Sequence, residues 1–426
     1  MTGPSPDGGV TGAAEVLRRC AELDRYSASP THLERTYLTA EHAAANAAVA
    51  AWMQAAGLRT RVDAAGNQYG RREAGPSAAG GPALLLGSHL DTVPDAGSYD
   101  GMLGVLMAIA VAQRLRDVEL PFALEVVGFS DEEGARFGKA LLGSQAAAGT
   151  WDPAWWELRD EAGVTLREAF LAFGLDPDRI GEAARRREEL VGYLEAHIEQ
   201  GPELEAADLS LGYVTTIAGA RRFQLTVLGE ARHAGGTPYE RRLDALVGAS
   251  EAIVVIERLA RASACIATVG KIAVHPGAVN VIPGRADFSL DLRAATDDER
   301  DAMWKRMEEE ITALCEARGL GFSAEETHRA FAAPCAPWLQ DAVRAGIAAA
   351  DDSYPPGVEP RGLWSRAGHD AMAVAAIADI GMLFLRCFDG ISHHPGEDVR
   401  EIDVARGIDA LEAAVLDVAR TIRERR

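Results

Sequence analysis

The sequence predicts an α/β fold: a discontinuous domain with a mixed, mainly parallel sheet flanked by helices, interrupted by an inserted ferredoxin-like α+β domain. Three observations predict it. The chain has 426 residues, too many for one hydrophobic core. Apolar strands alternate with helices in the first half, as in βαβ units. Between 213 and 329 the predicted order is β-α-β-β-α-β, which is the ferredoxin-like pattern. We therefore place the domain boundaries at 1–212, 213–329 and 330–426.

The composition is ordinary for a soluble globular protein and argues against several partners. Hydrophobic residues make up 48% and charged residues 25% of the chain. The net charge of −21 argues against binding to nucleic acid or to an anionic membrane surface. No apolar run reaches transmembrane length, and residues 1–12 lack the pattern of a signal peptide. The five cysteines are scattered without a CxxC pair, as is typical of reduced thiols, so we expect a cytoplasmic protein.

The first half of the chain carries the signals of a βαβ unit. Periodicity predicts helices at Ala13–Tyr26, Ala40–Ala56 and Leu103–Leu115, a hairpin turn at 64–67, and buried strands at Pro82–Leu86, Phe122–Phe129 and Val191–Ile198. Residues 140–190 are predicted to be helical, with their tryptophans packing onto the sheet.

The inserted domain is predicted to contain four strands and two helices. The strands are predicted at Arg221–Gly229, Ala264–Val274, Arg285–Arg293 and Gly321–His328, and the helices at Arg241–Arg261 and Thr296–Arg318. After it we expect helices at 337–350, 369–376 and Ile402–Arg425, and a strand at Met382–Leu385.

Four polar clusters fall at predicted strand ends or loops of the discontinuous domain. They are His89 with Asp100, Glu132 with Glu133, His197, and His393 with His394. The carboxyl ends of strands in open α/β sheets are where ligands bind. Imidazole and carboxylate groups from separate elements suit a pair of divalent ions such as Zn²⁺, Mn²⁺, Co²⁺ or Ni²⁺, and the absence of nearby cysteine disfavours a structural zinc. The sequence thus predicts a dinuclear metal site.

Two acidic residues have other predicted roles. Glu132 stands beside a predicted ligand, where it can act as the general base for an activated water. Asp91 is more easily explained by a hydrogen bond to a histidine ring than by ligation. Any one of these histidines alone would usually be a hydrogen-bonded structural residue, and the Glu132–Glu133 pair alone could be solvated. Their common placement at strand ends favours the metal site.

A series of motifs in a fixed order carries a family resemblance. The motifs are Gly-Ser-His-Leu-Asp-Thr-Val-Pro, Tyr-Asp-Gly, Asp-Glu-Glu-Gly, His-Ile-Glu-Gln-Gly, His-Ala-Gly-Gly-Thr-Pro, Asn-Val-Ile-Pro-Gly, Asp-Leu-Arg, Ala-Gly-His-Asp-Ala and Ser-His-His-Pro-Gly-Glu, between 87 and 397. The chain resembles the amidase, hydantoinase/carbamoylase family of the dinuclear metallopeptidase superfamily. That family includes N-carbamoyl-L-amino acid hydrolases, allantoate amidohydrolases and β-ureidopropionases.

The resemblance implies a role for each matching residue. The implied metal ligands are His89, Asp100, Glu133, His197 and His393, with Asp100 bridging two ions. Glu132 resembles the catalytic base, and Asp91 the group that orients His89. His233 of the inserted domain resembles a residue that enters the partner subunit's active site and stabilises the oxyanion, so a homodimer formed through the inserted domain is implied. The residues that resemble substrate-binding groups are Gln200, Asn280, Arg293 and His369. Arg293 suits a carboxylate because its planar fork pairs bidentately.

The resemblance implies hydrolysis of the ureido C–N bond of a small carboxylate-bearing substrate, an N-carbamoyl-L-amino acid. Allantoate and β-ureidopropionate remain alternative substrates. An aminoacylase or dipeptidase is disfavoured by His-Ile-Glu-Gln-Gly, and a metal-free binding protein on the same fold is the alternative from another class. The chain departs from the family pattern at His394, Gly236, Tyr239 and Trp364–Arg366. Of these, Tyr239 and Arg366 bear on the substrate, and His394 on the choice of ligand.

Overall fold

Two units divide the chain in the computed structural model, which describes residues 12–75, 80–355 and 357–425. Unit 1 comprises the chain up to Thr215 together with Pro334–Leu363 and His369–Arg426. Unit 2 comprises Thr216–Ala333 and Trp364–Gly368. The insertion that we predicted, 213–329, begins and ends a few residues earlier than unit 2. It also lacks the short segment 364–368 that belongs to unit 2. The N-terminal residues 1–11, where we expected no signal peptide, lie outside the described residues.

Within the described residues, regular structure consists of eleven α-helices and sixteen strands, besides short 3₁₀ turns. The helices are α1 (Ala13–Leu23), α2 (Ala40–Ala55), α3 (Met102–Arg114), α4 (Leu142–Ala147), α5 (Leu166–Phe173), α6 (Glu203–Ala206), α7 (Ala245–Arg261), α8 (Asp297–Ala317), α9 (Pro337–Ala350), α10 (Asp370–Val374) and α11 (Glu401–Glu424). The strands are β1 (Arg59–Val62), β2 (Gln68–Arg72), β3 (Ala83–His89), β4 (Ala123–Phe129), β5 (Leu190–Ile198), β6 (Leu211–Ile217), β7 (Gly219–Leu228), β8 (Arg232–His233), β9 (Ile266–Thr268), β10 (Ile272–His275), β11 (Val281–Ile282), β12 (Arg285–Ala294), β13 (Gly321–Ala330), β14 (Ala333–Pro334), β15 (Gly362–Ser365) and β16 (Ile380–Leu385).

Unit 1 is built on a nine-stranded mixed sheet in the order β1-β2-β4-β3-β5-β16-β6-β14, with β15 pairing with β6. The four central strands, β4, β3, β5 and β16, run parallel to one another. Antiparallel pairs extend the sheet on both sides. Strands β3 and β4 are buried along their whole length, as expected for parallel strands covered on both faces. The predicted fold class, a mainly parallel sheet flanked by helices, is confirmed.

Helix α3 packs at the centre of unit 1. Nearly all of its residues are buried, and it joins one large hydrophobic core with α1, α2, α9 and α11. Its N-cap is Gly101, with a φ of 74°, where a Cβ atom would lie only 2.4 Å from the ring of His89. A glycine is required there because the backbone is left-handed and an imidazole lies against it. The helix therefore fixes Asp100 directly beside His89.

Unit 2 contains a five-stranded antiparallel sheet in the order β10-β12-β7-β13, with β9 pairing with β12, and two helices. This is the ferredoxin-like strand order. Buried residues of β7 and β12 alternate along each strand and pack against α7 and α8. The predicted strand at Ala264–Val274 is two short strands, β9 and β10.

The predicted helix over 140–190 is wrong. That segment holds only two short α-helices, α4 and α5, with 3₁₀ turns and loops around them. Its tryptophans pack in a separate cluster against Phe170 of α5: Trp151, Trp155 and Trp156. Alanine and arginine content favoured a helix, but Pro153 and Pro177 begin new turns and Gly174 ends α5 in a left-handed conformation.

Candidate metal centre

The side chains predicted to bind metal converge at the carboxyl edge of the central sheet of unit 1. Strand β3 ends at His89, and β4 ends at Phe129 just before the Glu132–Glu133 pair. His197 lies at the end of β5. The neighbouring strand β16 leads into the loop that carries His393. Because these strands are parallel and adjacent, their ends meet at one place.

Asp100 lies at the centre of this cluster. Its Oδ1 is 3.1 Å from Nε2 of His197 and 3.5 Å from Nε2 of His89. Its Oδ2 is 3.1 Å from Nε2 of His393, and that nitrogen is also 3.2 Å from Oε1 of Glu133. Two groups of candidate ligands therefore share one carboxylate, with a different oxygen of Asp100 facing each group.

The donor set fits a pair of divalent cations. Each group contains imidazole nitrogen and carboxylate oxygen, with the candidate ligand atoms within 4.8 Å of one another. Nδ1 of His89 lies 3.1 Å from the carbonyl oxygen of Asp91, and Nδ1 of His197 lies 2.9 Å from that of Ile198. Donation from Nδ1 to these carbonyls leaves the Nε2 lone pair for a metal in the neutral ring.

The buried carboxylates of the cluster are stabilised by neighbouring positive charge. Burial raises the pKa of Asp100, but the imidazoles of His197, His393 and His89 outweigh burial and hold that pKa well below its ordinary value. Burial lowers the pKa of His89, but the carboxylates of Asp100 and Asp91 outweigh it and hold that pKa well above its ordinary value. Hydrogen bonds to Asp100 and Glu133 raise the pKa of His393 to about 10. Divalent cations would supply the same positive charge to these carboxylates.

The Asp91 carboxylate orients the loop after β4. It accepts hydrogen bonds from the backbone N–H groups of Glu132 (3.0 Å) and Glu133 (3.2 Å). Its Oδ1 is 3.6 Å from Nδ1 of His89, so the ring is held by the Asp91 carbonyl rather than by a direct carboxylate hydrogen bond. Asp91 thus reaches His89 and both glutamates without itself facing the Asp100 cluster.

Glu132 is buried, with 8% of its surface exposed, and its carboxylate lies within reach of His89 and Glu133. Burial, with the negative charge of Glu133, raises its pKa well above the ordinary value. A carboxyl group beside two candidate cation sites is placed to accept a proton and return it.

The structure distinguishes the two neighbouring histidines of the last motif. His393 adopts a left-handed conformation with a φ of 55°, and its Nε2 contacts Asp100 and Glu133. His394 is exposed, and its Nδ1 accepts the backbone N–H of Gly396. Of the two, His393 is the one placed to ligate.

Two predicted substrate residues of unit 1 lie against the cluster. Nε2 of Gln200 donates to Oδ2 of Asp100 at 3.0 Å and to Oγ of Ser392 at 3.1 Å. His369 is buried with its ring 4.5 Å from that of His197, edge to face. Burial, together with the charge of His197, lowers the pKa of His369 well below its ordinary value. His369 is therefore held as a neutral ring behind His197.

The remaining residues predicted to contact the substrate or the oxyanion lie in unit 2. His233 pairs with Val281 across the β8–β11 ladder and is exposed, and Ala234 donates to the Asn280 carbonyl at 2.9 Å. Nδ1 of His233 accepts the N–H of Gly236, so a neutral ring presents its Nε2–H outward. Two apolar side chains in the same loops are also exposed: Tyr239 at 81% and Val279 at 107%.

Arg293 is held within unit 2 by two groups. Its Nε and NH2 donate to the two oxygens of Asp291 at 2.8 and 3.3 Å, and its NH1 donates to the carbonyl of Arg366 at 2.7 Å. Arg222 donates to the same Asp291 carboxylate. The guanidinium of Arg293 is thus fixed in orientation while keeping further N–H groups for a carboxylate.

Sequence reasoning missed two residues behind Asp100. Oε1 of Glu397 accepts the backbone N–H groups of Tyr99 (2.8 Å) and Asp100 (3.1 Å), and its Oε2 accepts from Oγ of Ser392 (2.8 Å). The same hydroxyl lies 3.0 Å from Oδ2 of Asp100, so its one hydrogen is shared between the two carboxylates. Glu397 ends the Ser-His-His-Pro-Gly-Glu motif, and an acidic residue after the ligand was the signal available. Glu397 therefore joins the loop of Asp100 to the loop of His393.

We expect Glu397→Gln to weaken metal binding by about 10- to 100-fold, as is usual when a group that orients a ligand is changed. A glutamine amide can still accept from the N–H groups of Tyr99 and Asp100 through its oxygen, and the Ser392 hydroxyl would accept from its N–H and donate to Asp100. The variant therefore keeps the hydrogen bonds but removes the negative charge that Glu397 places behind the cation sites. Competition with a chromophoric chelator measures the affinity.

The matched control is Asp63→Asn. Asp63 is also buried and accepts two backbone N–H groups, from Ala65 and Asn67, but it lies in the β1–β2 turn. Its variant should lose stability without losing metal affinity. Equal losses of affinity in both variants would show that Glu397 acts only through the fold.

This chain is similar to known metal-dependent hydrolases over most of its length. The profile of peptidase family M20/M25/M40 matches residues 85–417. The chain therefore belongs to this metal-dependent hydrolase family and, within it, to the amidases of the hydantoinase/carbamoylase type.

Individual relatives cover nearly the whole chain. It is 40% identical over 409 residues to an N-carbamoyl-L-amino acid amidohydrolase of Geobacillus stearothermophilus, covering 95% of this chain and 98% of that protein. It is 38% identical to an allantoate deiminase of Arabidopsis thaliana, covering 93% and 81% respectively. The crystal structure of an amidase of the hydantoinase/carbamoylase family from Burkholderia multivorans matches with a TM-score of 0.86 at 32% identity, covering 96% and 98%. Among the described residues, no helix is both long and apolar enough to cross a membrane.

Proposed function

We propose that the protein hydrolyses the ureido C–N bond of an N-carbamoyl-L-amino acid, giving the amino acid, ammonia and carbon dioxide. The observation that carries the proposal is the pair of imidazole–carboxylate groups sharing Asp100, with Glu132 beside them. The names of relatives at 35–40% identity support the choice of substrate.

In this proposal two divalent ions, zinc or alternatively manganese, cobalt or nickel, are held by the cluster at the sheet edge. The proposed ligands are His89, Asp100, Glu133, His197 and His393. Bound cations would polarise the carbamoyl carbonyl and acidify a water molecule. A donor set made only of imidazole and carboxylate groups is compatible with each of these metals and does not select one of them.

The chain's own groups move the protons and hold the substrate. Glu132 takes a proton from the attacking water and returns it to the nitrogen of the amino acid as the C–N bond breaks. The carbamate released then decomposes to ammonia and carbon dioxide. Arg293 binds the substrate carboxylate, with Gln200 and Asn280 as further polar contacts and His369 supporting the pocket from behind His197.

His233 stabilises the oxyanion by donating from Nε2–H. We propose that it does so in the active site of a partner subunit, in a homodimer formed through the inserted domain. Its exposure, next to the exposed Tyr239 and Val279, supports a role outside its own unit. We also propose that the protein works in the cytoplasm, since all five cysteines are unpaired and buried.

Allantoate is the second candidate substrate, because allantoate deiminases match the chain at 36–38% identity. Departures from the family pattern at Tyr239 and Arg366 bear on this choice.

Ammonia release from a panel of ureides tests the proposal. The panel is N-carbamoyl-L-amino acids, their D-enantiomers, β-ureidopropionate and allantoate, after dialysis against a chelator and reconstitution with Zn²⁺, Mn²⁺, Co²⁺ or Ni²⁺. We expect metal-dependent turnover with the highest kcat/KM for an N-carbamoyl-L-amino acid. Preferred turnover of allantoate would select the second candidate. Protein that contains no bound metal by elemental analysis after reconstitution, and shows no turnover, would contradict both.

A further inference from the structure

Arg35 is a buried cation on the far side of the loops that carry the metal-binding side chains. It lies in the segment between α1 and α2, and its side chain is 0% exposed. Its Nε donates to the Leu90 carbonyl at 2.7 Å, and its NH1 donates to the carbonyls of Leu23 (2.8 Å) and Tyr26 (3.1 Å). Its NH2 contacts the sulfur of Met102.

This guanidinium has an unusual set of partners for a buried charge. All its hydrogen-bond acceptors are backbone carbonyls or a thioether, and across residues 12–75, 80–355 and 357–425 no carboxylate forms an ion pair with it. Burying a cation without a paired anion is costly. Burial lowers the pKa of Arg35 to about 10, so it stays charged at neutral pH. Another buried arginine, Arg300, is instead paired with Asp297 and Asp301.

The contacts of Arg35 reach two of the loops that supply ligands. Leu90 lies between His89 and Asp91. The backbones of Arg35 and Thr92 are also tied together: the Arg35 N–H donates to Oγ1 of Thr92, and the Thr92 N–H donates to the Arg35 carbonyl, both at 2.9 Å. Met102 follows Asp100 by two residues, at the start of α3. One side chain therefore contacts both the His89 loop and the Asp100 loop from behind.

We propose that Arg35 is a positioning residue that sets the separation of His89 and Asp100 in the metal centre. It does so by fixing the Leu90 carbonyl and Met102 to one rigid, planar group. The inference rests on the proposed metal-dependent function.

Three substitutions separate positioning from a purely structural role. Arg35→Met keeps the volume and removes every donor, and Arg35→Lys keeps the charge and removes the planar fork. Arg300→Met is the matched control, because Arg300 is equally buried but lies in unit 2. Co²⁺ affinity by chelator competition and the visible absorption of the Co²⁺ protein report on the centre, and thermal unfolding of the metal-free chain reports on stability.

We expect Arg35→Met to bind Co²⁺ about 10- to 100-fold more weakly, with a shifted absorption spectrum. Arg35→Lys should recover part of the affinity. Arg300→Met should unfold at a lower temperature and keep the wild-type affinity and spectrum. In turnover assays, Arg35→Lys should lower kcat with little change in KM, because the substrate contacts are untouched.

Thr92→Val provides a milder second variant should Arg35→Met fail to fold, since it removes only one hydrogen bond to the Arg35 backbone. It should weaken Co²⁺ binding in the same direction by a smaller factor. Wild-type affinity and spectrum in both Arg35→Lys and Thr92→Val would overturn the inference. Wild-type protein that binds no Co²⁺ would overturn the proposed function, and this is measured before any variant is compared.

Discussion

Glu132→Gln is expected to lower kcat by on the order of 10²–10⁴-fold, the usual contribution of a general acid–base group. The amide has nearly the size of the carboxylate but cannot accept a proton from water or return one to the leaving nitrogen. Because Glu132 is not among the proposed ligands, the metal content should be unchanged. Ammonia release at saturating substrate measures kcat, and elemental analysis measures the metal content.

The pH profile gives an independent check of the same role. A general base must be ionised, so kcat/KM of the wild type should rise with pH through the pKa of Glu132. In Glu132→Gln the residual activity should lose that rise. The matched control is Glu125→Gln, because Glu125 is also buried, on β4, but it pairs with Arg61 and Arg185. Retained turnover in Glu132→Gln would remove this residue from the mechanism.

His233→Ala is expected to lower kcat by on the order of 10²–10³-fold, the cost of losing one oxyanion donor. Metal content should not change, since His233 lies in unit 2 and outside the cluster. The control is His275→Ala, because His275 is another exposed histidine of unit 2. Its variant should keep near wild-type turnover.

Mixed dimers decide which subunit uses His233. In a dimer of one His233→Ala subunit and one Glu132→Gln subunit, donation across the interface leaves one site with both groups intact. Random mixing in equal amounts should then restore about a quarter of the wild-type activity per site. Donation within one subunit leaves no complete site, so an unrestored mixture would contradict the homodimeric arrangement.

The fold class and the group of candidate metal ligands could be predicted because the apolar strands, and the polar residues that follow them, are visible in the sequence. Buried apolar runs located β3, β4 and β5, and the polar residue after each run lies at the shared edge of a parallel sheet. The family resemblance then assigned roles within these clusters, with Asp100 as the bridging ligand and His393 as a ligand. The structure brings these side chains within contact distance of one another.

The parts that were not predicted depend on contacts between distant segments. Arg35 carries no motif, and its role is visible only once the Leu90 carbonyl and Met102 lie beside it. Glu397 follows a ligand motif, but its hydrogen bonds to Tyr99 and Asp100 join chain segments far apart in sequence. The tryptophans of the 140–190 segment were expected on the sheet, but they form their own cluster with Phe170, a contact that the sequence pattern does not reveal.

The division of the chain has a consequence for its biosynthesis. Most of unit 2 is one continuous stretch, Thr216–Ala333, whereas unit 1 is assembled from three stretches. Domains generally fold as units while a chain is being synthesised. Unit 2 can therefore fold on the ribosome before unit 1 is complete. His393 and Glu397 follow all of unit 2 in the chain, so the nascent enzyme should acquire its full cation-binding capacity only after unit 2 has been synthesised.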